Sequence, residues 1–384
     1  MGTLSTAGTS LAAKPSVAIV VEGGGEGGAV ARVALEHAAG LAERFCVTVL
    51  SDSLPAGPAP QNVEMRLVRV HAFRFLRRFG HAVRAVFFAR KAAAVLSGID
   101  RRRHIDFVWC HSHGVAAGLA ASGFGGRVGM TVHGDIFERP PATYDPLLTA
   151  WYRFSTPRAY ARCRWIQALN AEAAGAVQRR GARPECVFVL PNGISRQDFP
   201  ADLSPVERET GRVLYVGRLS VEKGCLHLLR AMEEVRNAKL DIVGDGPQRK
   251  ICEAFAADKG LAVTFHDARP RPELAGFYRR ASLMCSPSLD EQFSTVLLEA
   301  MLFGLPVVAT AVGGTPSIVC DGSTGRLVPP GDPSAMARAI SEVIGNPQLA
   351  REWGNAGLLR VRKEFFWPDI CRRLADRIQT AIVE

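Results

Sequence analysis

The stretch that decides the fold runs from Ser286 to Asp332 and reads SPSLDEQFSTVLLEAMLFGLPVVATAVGGTPSIVCDGSTGRLVPPGD. Two carboxylates, Glu291 and Glu299, are separated by seven residues, and an apolar run begins between them. Ser294 and Thr295 precede that run as helix N-cap residues do, which places Glu299 one turn inside a helix. Two acids beside the free N–H groups of a helix entrance suit a ligand with both hydroxyls and an anion, as a sugar nucleotide has.

Length and composition indicate a folded protein of two or three domains. The chain has 384 residues, of which 47% are apolar and 22% are charged, as in ordinary globular proteins. No apolar run reaches the roughly 18 to 20 residues that a membrane span needs. Residues 1–15 lack the charged and apolar regions of a secretion signal, so we expect a disordered tail there and a cytoplasmic protein.

Cysteine spacing and net charge narrow the choice of partners. The nine cysteines are scattered and never spaced as C-x-x-C, which predicts free thiols in a reducing compartment rather than disulfides or a zinc site. The formal net charge of +10 indicates an anionic partner, such as a nucleotide phosphate or a phospholipid surface.

The positive charge is concentrated between Arg66 and Arg103, where eleven Lys/Arg accompany a single acid. On a helical wheel the basic and apolar side chains fall on opposite faces. The basic face comprises Arg74, Arg77, Arg78, His81, Arg84 and Lys91, and the apolar face comprises Phe75, Leu76, Phe79, Val83 and Val86. Two interpretations remain open: a solvated helix face, or a face that docks on an anionic membrane or a phosphate-bearing acceptor. Nucleic acid is not expected, because no recognition motif accompanies the charge.

The N-terminal half opens as a βαβ unit. Strand Ser16–Val21 is followed by the glycine turn EGGGEGG, an apolar-periodic segment over Ala29–Glu43 and a second strand, Cys46–Leu50. This order starts a parallel, doubly wound sheet. Glycine allows the backbone to approach a ligand closely, although such turns also serve simply to pack a helix on a strand.

Polar residues follow two further predicted strands of this half. His111, Ser112 and His113 come after FVWC, and His133 and Asp135 come after VGMTV. Because the carboxyl ends of parallel strands line the crevice where open α/β sheets bind ligands, these are candidate site residues. A structural histidine is the alternative. The histidines come from different strands with no Cys or carboxylate at ligand spacing, so no metal is predicted.

The C-terminal half repeats the same architecture after a polar linker that ends near Glu209. VLYVGRLSVEKG is a strand followed by a loop that carries Arg218 and Lys223. Arginine binds a diphosphate through paired hydrogen bonds and lysine through its point charge. Further strands in DIVGDGP, VTFHD, LMCSP and VVAT alternate with helices and glycine turns, which predicts a second doubly wound sheet.

In sum these motifs resemble the family 4 glycosyltransferases of the GT-B fold, over nearly the whole chain. The resemblance is carried by EGGGEGG, GRLSVEKG, VGDGP, and EQFSTVLLEAM followed by PVVATAVGGTPSIVCDGSTGRLVPPGD. It implies two facing Rossmann-like domains, at 16–195 and 206–366, with an interdomain cleft and a C-terminal helix, 367–384, that packs back on the first domain. It also implies retaining transfer of a sugar from a nucleoside diphosphate sugar, a UDP-sugar or else GDP-mannose, to an acceptor hydroxyl, without a metal or other cofactor.

The resemblance assigns roles to individual residues. Glu291 contacts the donor sugar, Glu299 holds the ribose hydroxyls, and Arg218 and Lys223 bind the diphosphate and stabilise the leaving group. The donor-binding set is Gly27, Gly28, Arg218, Lys223, Gln292, Phe293, Ser294, Thr295 and Glu299. The catalytic set is Glu291, His133, Arg218 and Lys223. The weaker acceptor-side candidates are Asp135, His111 and His113.

One departure from the family pattern concerns the donor sugar. The family has E-G-F-G where this chain has Glu291-Gln292-Phe293-Ser294, so Gln292 and Ser294 replace two glycines. The replacement leaves the chemistry in place and puts the sugar's identity in question.

Two other functions and several acceptors stay open. A hydrolysing nucleotide-sugar epimerase of the same fold would turn over the donor alone, and a non-catalytic subunit would bind the donor without transfer. A lipid-linked or envelope glycan becomes the expected acceptor if the basic region docks peripherally on the inner face of the membrane. Otherwise a small natural product is expected.

Overall fold

The computed structural model describes residues 14–22, 29–53, 59–70, 80–133, 146–199 and 208–383. Three predicted site residues, Gly27, Gly28 and Asp135, lie outside these ranges, as do residues 71–79 of the basic segment and most of the predicted tail.

By their internal contacts the described residues form two compact units. The first unit lies within residues 14–131, 146–165 and 374–383, and the second within 132–133, 166–199 and 208–373. The domain limits predicted from the sequence, 16–195 and 206–366, stay a prediction.

A seven-stranded sheet is built from the N-terminal half of the chain. Its strands are β1 Ser16–Val21, β2 Cys46–Ser51, β3 Val63–Leu67, β4 Phe107–Cys110, β5 Val128–Val132, β6 Trp165–Ala168 and β7 Val187–Val189. Their order in the sheet is β3-β2-β1-β4-β5-β6-β7, and β1 pairs in parallel with both β2 and β4. Every residue of β1 is buried, as in the central strand of a sheet covered on both faces.

The helices of this half are α1 Ala29–Leu41, α2 Gly80–Asp100, α3 His113–Ala121, α4 Pro146–Arg162 and α5 Ala171–Arg179. The basic segment predicted at 66–103 therefore contains part of strand β3 as well as α2. Arg84 of α2 forms an ion pair with Asp52, and Lys91 Nζ donates to Arg69 O over 2.9 Å. Part of the basic face thus binds the protein itself, and its contact with a membrane stays a prediction.

A six-stranded sheet is built from the C-terminal half. Its strands are β8 Arg212–Val216, β9 Lys239–Val243, β10 Val263–His266, β11 Leu283–Ser286, β12 Val307–Thr310 and β13 Gly325–Val328. All pairings are parallel, in the order β10-β9-β8-β11-β12-β13. The accompanying helices are α6 Cys225–Met232, α7 Arg249–Asp258, α8 Arg271–Arg280, α9 Thr295–Leu302, α10 Thr315–Ile318, α11 Pro333–Gly345, α12 Pro347–Glu364 and α13 Trp367–Val383.

Alternate residues of these central strands pack into two hydrophobic clusters. Leu214 and Met284 enter one cluster, whereas Val213, Tyr215 and Leu283 enter the other. Because successive strand residues point to opposite faces, the sheet has a core on each side. The central strands of the sheet are therefore packed between two hydrophobic clusters.

The C-terminal helix α13 contributes to both units. Its residues from Leu374 onward group with the first unit, where Arg44 Nη1 donates to Asp376 Oδ1 over 2.5 Å. Just before the helix, Ile194 N donates to Phe365 O over 2.8 Å within the second unit.

Candidate active site

The main site lies where the six-stranded sheet reverses its strand order, between β8 and β11. Ligands of open α/β sheets bind beyond the carboxyl ends of strands at such a switch point. The loop after β8 carries Arg218 and a short 3₁₀ turn at Val221–Lys223, and the loop after β11 carries Glu291. Two motifs far apart in sequence therefore share one end of the sheet.

Lys223 and Glu291 form a direct ion pair across these two loops. Lys223 Nζ donates to Glu291 Oε2 over 2.6 Å, and the Glu291 side chain is 10% exposed. Arg218 is 66% exposed and forms an ion pair with Glu222, one turn along the same loop. Both cations predicted to bind the diphosphate are thus held by a carboxylate.

Glycines after β12 bring a third loop against the backbone of Glu291. Gly314 N donates to Glu291 O over 3.0 Å. A Cβ at Gly313, where φ is +48°, would lie 1.9 Å from Glu291 O, and one at Gly314 would lie 2.2 Å from Gln292 O. Only glycine allows this approach, so the glycine pair of AVGGT fixes the main chain that presents Glu291.

The VGDGP motif braces the loop after β8 in the same way. A Cβ at Gly244 would lie 1.9 Å from Gly217 O, and one at Gly246 would lie 2.4 Å from Leu219 O. Leu219 N donates to Asp245 O over 2.9 Å. The glycines of this motif therefore serve close packing between two loops, and they set the backbone from which Arg218 projects.

Helix α9 begins at Thr295 with Ser294 as its N-cap, as the sequence predicts. The Ser294 side chain does not cap the helix, and its buried Oγ has no hydrogen-bond partner in the described chain. Asn170, the N-cap of α5, instead reaches this loop and donates from Nδ2 to Gln292 O over 2.8 Å. The main chain at Gln292, one of the two residues that replace the family glycines, is therefore held by this hydrogen bond.

Glu299 is buried in α9, with 2% of its surface exposed. Arg271 Nε lies 2.7 Å from Glu299 Oε1, and the Tyr278 hydroxyl donates to Glu299 Oε2 over 2.9 Å. Burial and the neighbouring Glu299 raise the pKa of Tyr278 well above its ordinary value, which keeps the hydroxyl a donor. Arg271 and Tyr278 are absent from the sequence prediction because no motif links them to Glu299.

Comparison with known proteins identifies the family. The model for "Glycosyltransferase Family 4" matches residues 27–198, and the model for "Glycosyl transferases group 1" matches residues 202–360. The chain belongs to the family 4 glycosyltransferases. A 2-deoxystreptamine glucosyltransferase of Streptomyces kanamyceticus is 29% identical over 76% of this chain and 84% of its own length. This chain spans about half the length of several D-inositol 3-phosphate glycosyltransferases that it also matches.

Solved structures confirm that this glycosyltransferase has the predicted GT-B fold. Sucrose-phosphate synthase from Thermosynechococcus elongatus superimposes with a TM-score of 0.80 at 21% identity, covering 96% of this chain and 99% of its own. Anabaena HepE in complex with UDP-glucose superimposes with a TM-score of 0.74 at 19% identity, covering 95% and 99% of the two chains.

Two histidines predicted on the acceptor side of the glycosyltransferase, His111 and His113, lie in the first unit, and His133, predicted as catalytic, lies in the second. His111 is buried, with its ring 5.2 Å from that of Trp109 and 5.5 Å from that of His37. His113 begins α3, and its Nε2 lies 2.9 Å from the Tyr160 hydroxyl. His133 follows β5 and is half-buried. The roles given to all three by the sequence stay predictions.

A carboxylate that the sequence analysis did not single out marks the switch point of the seven-stranded sheet. Glu22 directly follows β1, and Ser112, after the neighbouring strand β4, donates from Oγ to Glu22 Oε2 over 3.5 Å. Burial, reinforced by the charge of Asp52 and opposed by Arg84, raises the pKa of Glu22 from 4.5 to about 7. The available signal was an acid placed immediately after a buried strand.

Two properties of the glycosyltransferase concern metals and membranes. Within the described ranges, no three His, Cys, Asp or Glu side chains are arranged to hold a metal ion, and metal independence stays a prediction. Across the same residues, no helix combines the length and apolar character that crossing a membrane requires.

Proposed function

We propose that this glycosyltransferase moves a sugar from a UDP-sugar to a hydroxyl of a small polyhydroxylated acceptor, with retention of anomeric configuration. The observation that carries the proposal is the 2.6 Å contact between Lys223 Nζ and Glu291 Oε2. It joins a cation suited to a diphosphate and a carboxylate suited to sugar hydroxyls at the switch point of the six-stranded sheet.

The chemical barrier in such a transfer is mostly charge separation, because the diphosphate leaves while the sugar gains oxocarbenium character. Lys223 and Arg218 stabilise the charge that develops on the departing phosphate. Their ion pairs with Glu291 and Glu222 limit the positions of the two cations before the donor binds, which lowers the cost of reorganisation. Backbone N–H groups at the start of α9 add partial positive charge.

The two acids of the opening stretch bind different parts of the donor. Glu291 orients the sugar through its hydroxyls, and Glu299 accepts hydrogen bonds from the ribose. Arg271 and Tyr278 hold the Glu299 carboxylate in one orientation. A carboxylate fixed in this way is a preorganised acceptor for the hydroxyls of a diol.

The proposed transfer needs no enzymic nucleophile. The bond between the anomeric carbon and the phosphate oxygen breaks while the acceptor oxygen bonds to the same face of that carbon. The departing phosphate takes the proton of the acceptor hydroxyl. His133 is assigned to the neighbourhood of the donor sugar, as the family resemblance implies.

Two comparisons support the choice of substrates. A solved structure of the same fold contains UDP-glucose, which favours a uridine donor over GDP-mannose. A relative that matches this chain over 84% of its own length is named for glucosyl transfer to 2-deoxystreptamine, a small molecule with several hydroxyls. Gln292 and Ser294, in the loop held by Asn170, are the residues that we assign to sugar choice.

Thermal unfolding with added nucleotides is the first test. Ligands that bind the folded state raise Tm by mass action, so UDP and at least one UDP-sugar should raise Tm more than GDP and GDP-mannose at equal concentration. The absence of a shift with every nucleotide would contradict the donor assignment. A larger shift with GDP would replace the uridine donor by a guanosine one.

Product analysis tests the reaction itself. With the stabilising donor and 2-deoxystreptamine or another small polyol, NMR should show a product whose anomeric configuration equals that of the donor. An inverted product would contradict retention and direct attention to His133 or Asp135 as a base. Donor consumption that does not depend on an acceptor would favour the epimerase alternative.

A further inference from the structure

A cavity of about 620 Å³ lies in the second unit, away from Lys223 and Glu291. It is lined by Gly211, Ser282 and Pro306, which immediately precede β8, β11 and β12. The cavity therefore opens at the amino ends of the strands. The loops that carry Lys223 and Glu291 follow the carboxyl ends of β8 and β11. Its size falls within the range of about 300–1,000 Å³ that is typical of small-molecule sites.

The floor of the cavity is apolar. Leu302 and Phe303, at the end of α9, contribute to it together with Pro306, Val343 and Leu358. The first four of these side chains are buried, and Leu358 of α12 is half-buried. A hydrocarbon chain or ring placed here would remove apolar surface from water on both sides of the contact.

Four arginines surround this floor, and none of the described residues that line the cavity is acidic. Arg208 is half-buried, and its guanidinium donates to the carbonyl oxygens of Tyr278, Ala281, Phe303 and Gly304 at 2.7 to 3.1 Å. Carbonyls satisfy its hydrogen bonds but do not neutralise its charge. Burial lowers the pKa of Arg208, as expected for a cation without a carboxylate partner.

Arg351 and Arg362 lie on the wall formed by α12, together with Asn355 and Leu358. These spacings of three to four residues place them along one helix face, and the two arginines are separated by about 16 Å of helix rise. Both arginines are exposed, and within the described chain neither forms an ion pair. Arg279 of α8 completes the set.

We propose that this cavity binds a small amphipathic anion, with one phosphate or carboxylate on an alkyl or ring body. Arg351 and Arg362, which form no ion pair within the described chain, lie beside an apolar floor and complement such a molecule, because guanidinium binds oxyanions through paired hydrogen bonds. A ligand here contacts the last turn of α9. The first turn of the same helix follows the loop that carries Glu291. The site requires no nucleotide and is separate from the proposed transfer.

Isothermal titration with decyl phosphate, below its micelle concentration, tests the proposal on the intact chain. The probe should bind the wild-type protein at one site, and decanol and inorganic phosphate should each bind at least about tenfold more weakly, a difference of about 1.4 kcal/mol. Comparable binding of decanol, or no binding of decyl phosphate, would overturn the proposal.

Substitutions locate the site. The double variant Arg351→Gln/Arg362→Gln alters two exposed side chains and should weaken decyl phosphate binding about tenfold, because charge-assisted hydrogen bonds are lost. The matched control, Arg338→Gln, alters an exposed arginine of α11 outside the cavity and should bind as the wild type does. Equal affinity in all three proteins would overturn the assignment.

Saturating UDP distinguishes this cavity from the donor site. Decyl phosphate should bind with unchanged affinity when UDP is present, because the two sites lie at opposite ends of the strands. Displacement by UDP would place the probe on Arg218 and Lys223 and would overturn the proposal. The titration measures binding and does not depend on sugar transfer. Its result can therefore be interpreted even if the proposed transfer reaction is wrong.

Discussion

The two sheets reverse strand order in the same way, between β1 and β4 and between β8 and β11, yet their switch points differ in charge. At the second, Lys223 and Glu291 neutralise one another and glycines press neighbouring loops against them. At the first, Glu22 is largely buried beside Asp52, and its pKa is raised to about 7. The same architecture therefore carries an ion pair held by neighbouring loops in the C-terminal half and, in the N-terminal half, a carboxyl group whose pKa is about 7.

This difference follows from what surrounds each carboxylate. Glu291 has an ammonium at 2.6 Å, whereas Arg84, whose charge acts on Glu22, is already paired with Asp52. Burial therefore raises the pKa of Glu22 by more than the charge of Arg84 lowers it. Charge at a strand end is thus set by the partner that the next loop supplies, and the comparison can be tested at both ends.

The largest expected effect tests whether Lys223 and Glu291 act as a unit. Lys223→Ala should lower kcat by about 10² to 10³, because a preorganised cation at the leaving group is lost. Glu291→Ala should produce a comparable loss. The double variant should be much less impaired than the product of the two losses, because each side chain positions the other.

Steady-state kinetics of the four proteins measures this coupling. Lys250→Ala, which alters an exposed lysine of α7, is the control and should retain the wild-type rate. Losses that multiply in the double variant would show that the ion pair has no catalytic role as a pair.

The next largest effect tests whether the close approach of Gly313 to the main chain of Glu291 stabilises the site in the C-terminal half. In Gly313→Ala the new methyl would meet Glu291 O at 1.9 Å with φ at +48°, so the backbone must move. We expect a loss of about 2–3 kcal/mol in unfolding free energy and a higher KM for the donor. The control is Gly345→Ala, because a Cβ there meets nothing within 4 Å; its Tm should be unchanged or slightly raised. Equal Tm values for the two variants would contradict the bracing.

The smallest effect concerns Glu22. Its pKa is about 7 in the folded chain against 4.5 ordinarily, so between these values the folded state binds more protons than the unfolded state. Its contribution is therefore fully present below pH 4.5 and is lost as pH rises through 7, by at most about 3 kcal/mol. Glu22→Gln removes this loss, and its Tm should exceed that of the wild type by about 3–8 °C at pH 8 and by little at pH 5.

Thermal unfolding at the two pH values measures the Glu22 effect. Glu43→Gln, which alters an exposed acid of the same unit, should show no such dependence on pH. A Tm difference between Glu22→Gln and wild type that is the same at pH 5 and pH 8 would contradict the raised pKa.

The sequence predicted the central strands better than the edges. β1 and β4 have the predicted limits, Ser16–Val21 and Phe107–Cys110, because strands buried on both faces are continuous apolar runs. Two edge strands, β3 Val63–Leu67 and β13 Gly325–Val328, were not predicted from the sequence. β3 is half-exposed and carries charged residues, and β13 begins with a glycine. Edge strands depend on the neighbour that they pair with more than on their own pattern.

The main residues of the site could be predicted from sequence motifs, but the contacts between them could not. Arg218, Lys223, Glu291 and Glu299 stand in recognisable patterns, but the pairing of Lys223 with Glu291 spans 68 residues. Arg271, Tyr278 and Asn170 belong to no motif, and only the folded chain brings them to the loops that they hold. Interactions between elements distant in sequence carry no local signal, so the supporting residues of a site are the last to be found.

The buried cysteines of each unit can report when that unit opens. All nine cysteines are free, and seven are buried. Cys110 and Cys163 lie in the first unit, and Cys186, Cys225, Cys252, Cys285 and Cys371 lie in the second. A buried thiol reacts with an alkylating reagent only when the surrounding structure opens. The order in which these cysteines become labelled, read by mass spectrometry, would therefore report which half of the protein opens first and whether a bound nucleotide delays one half alone.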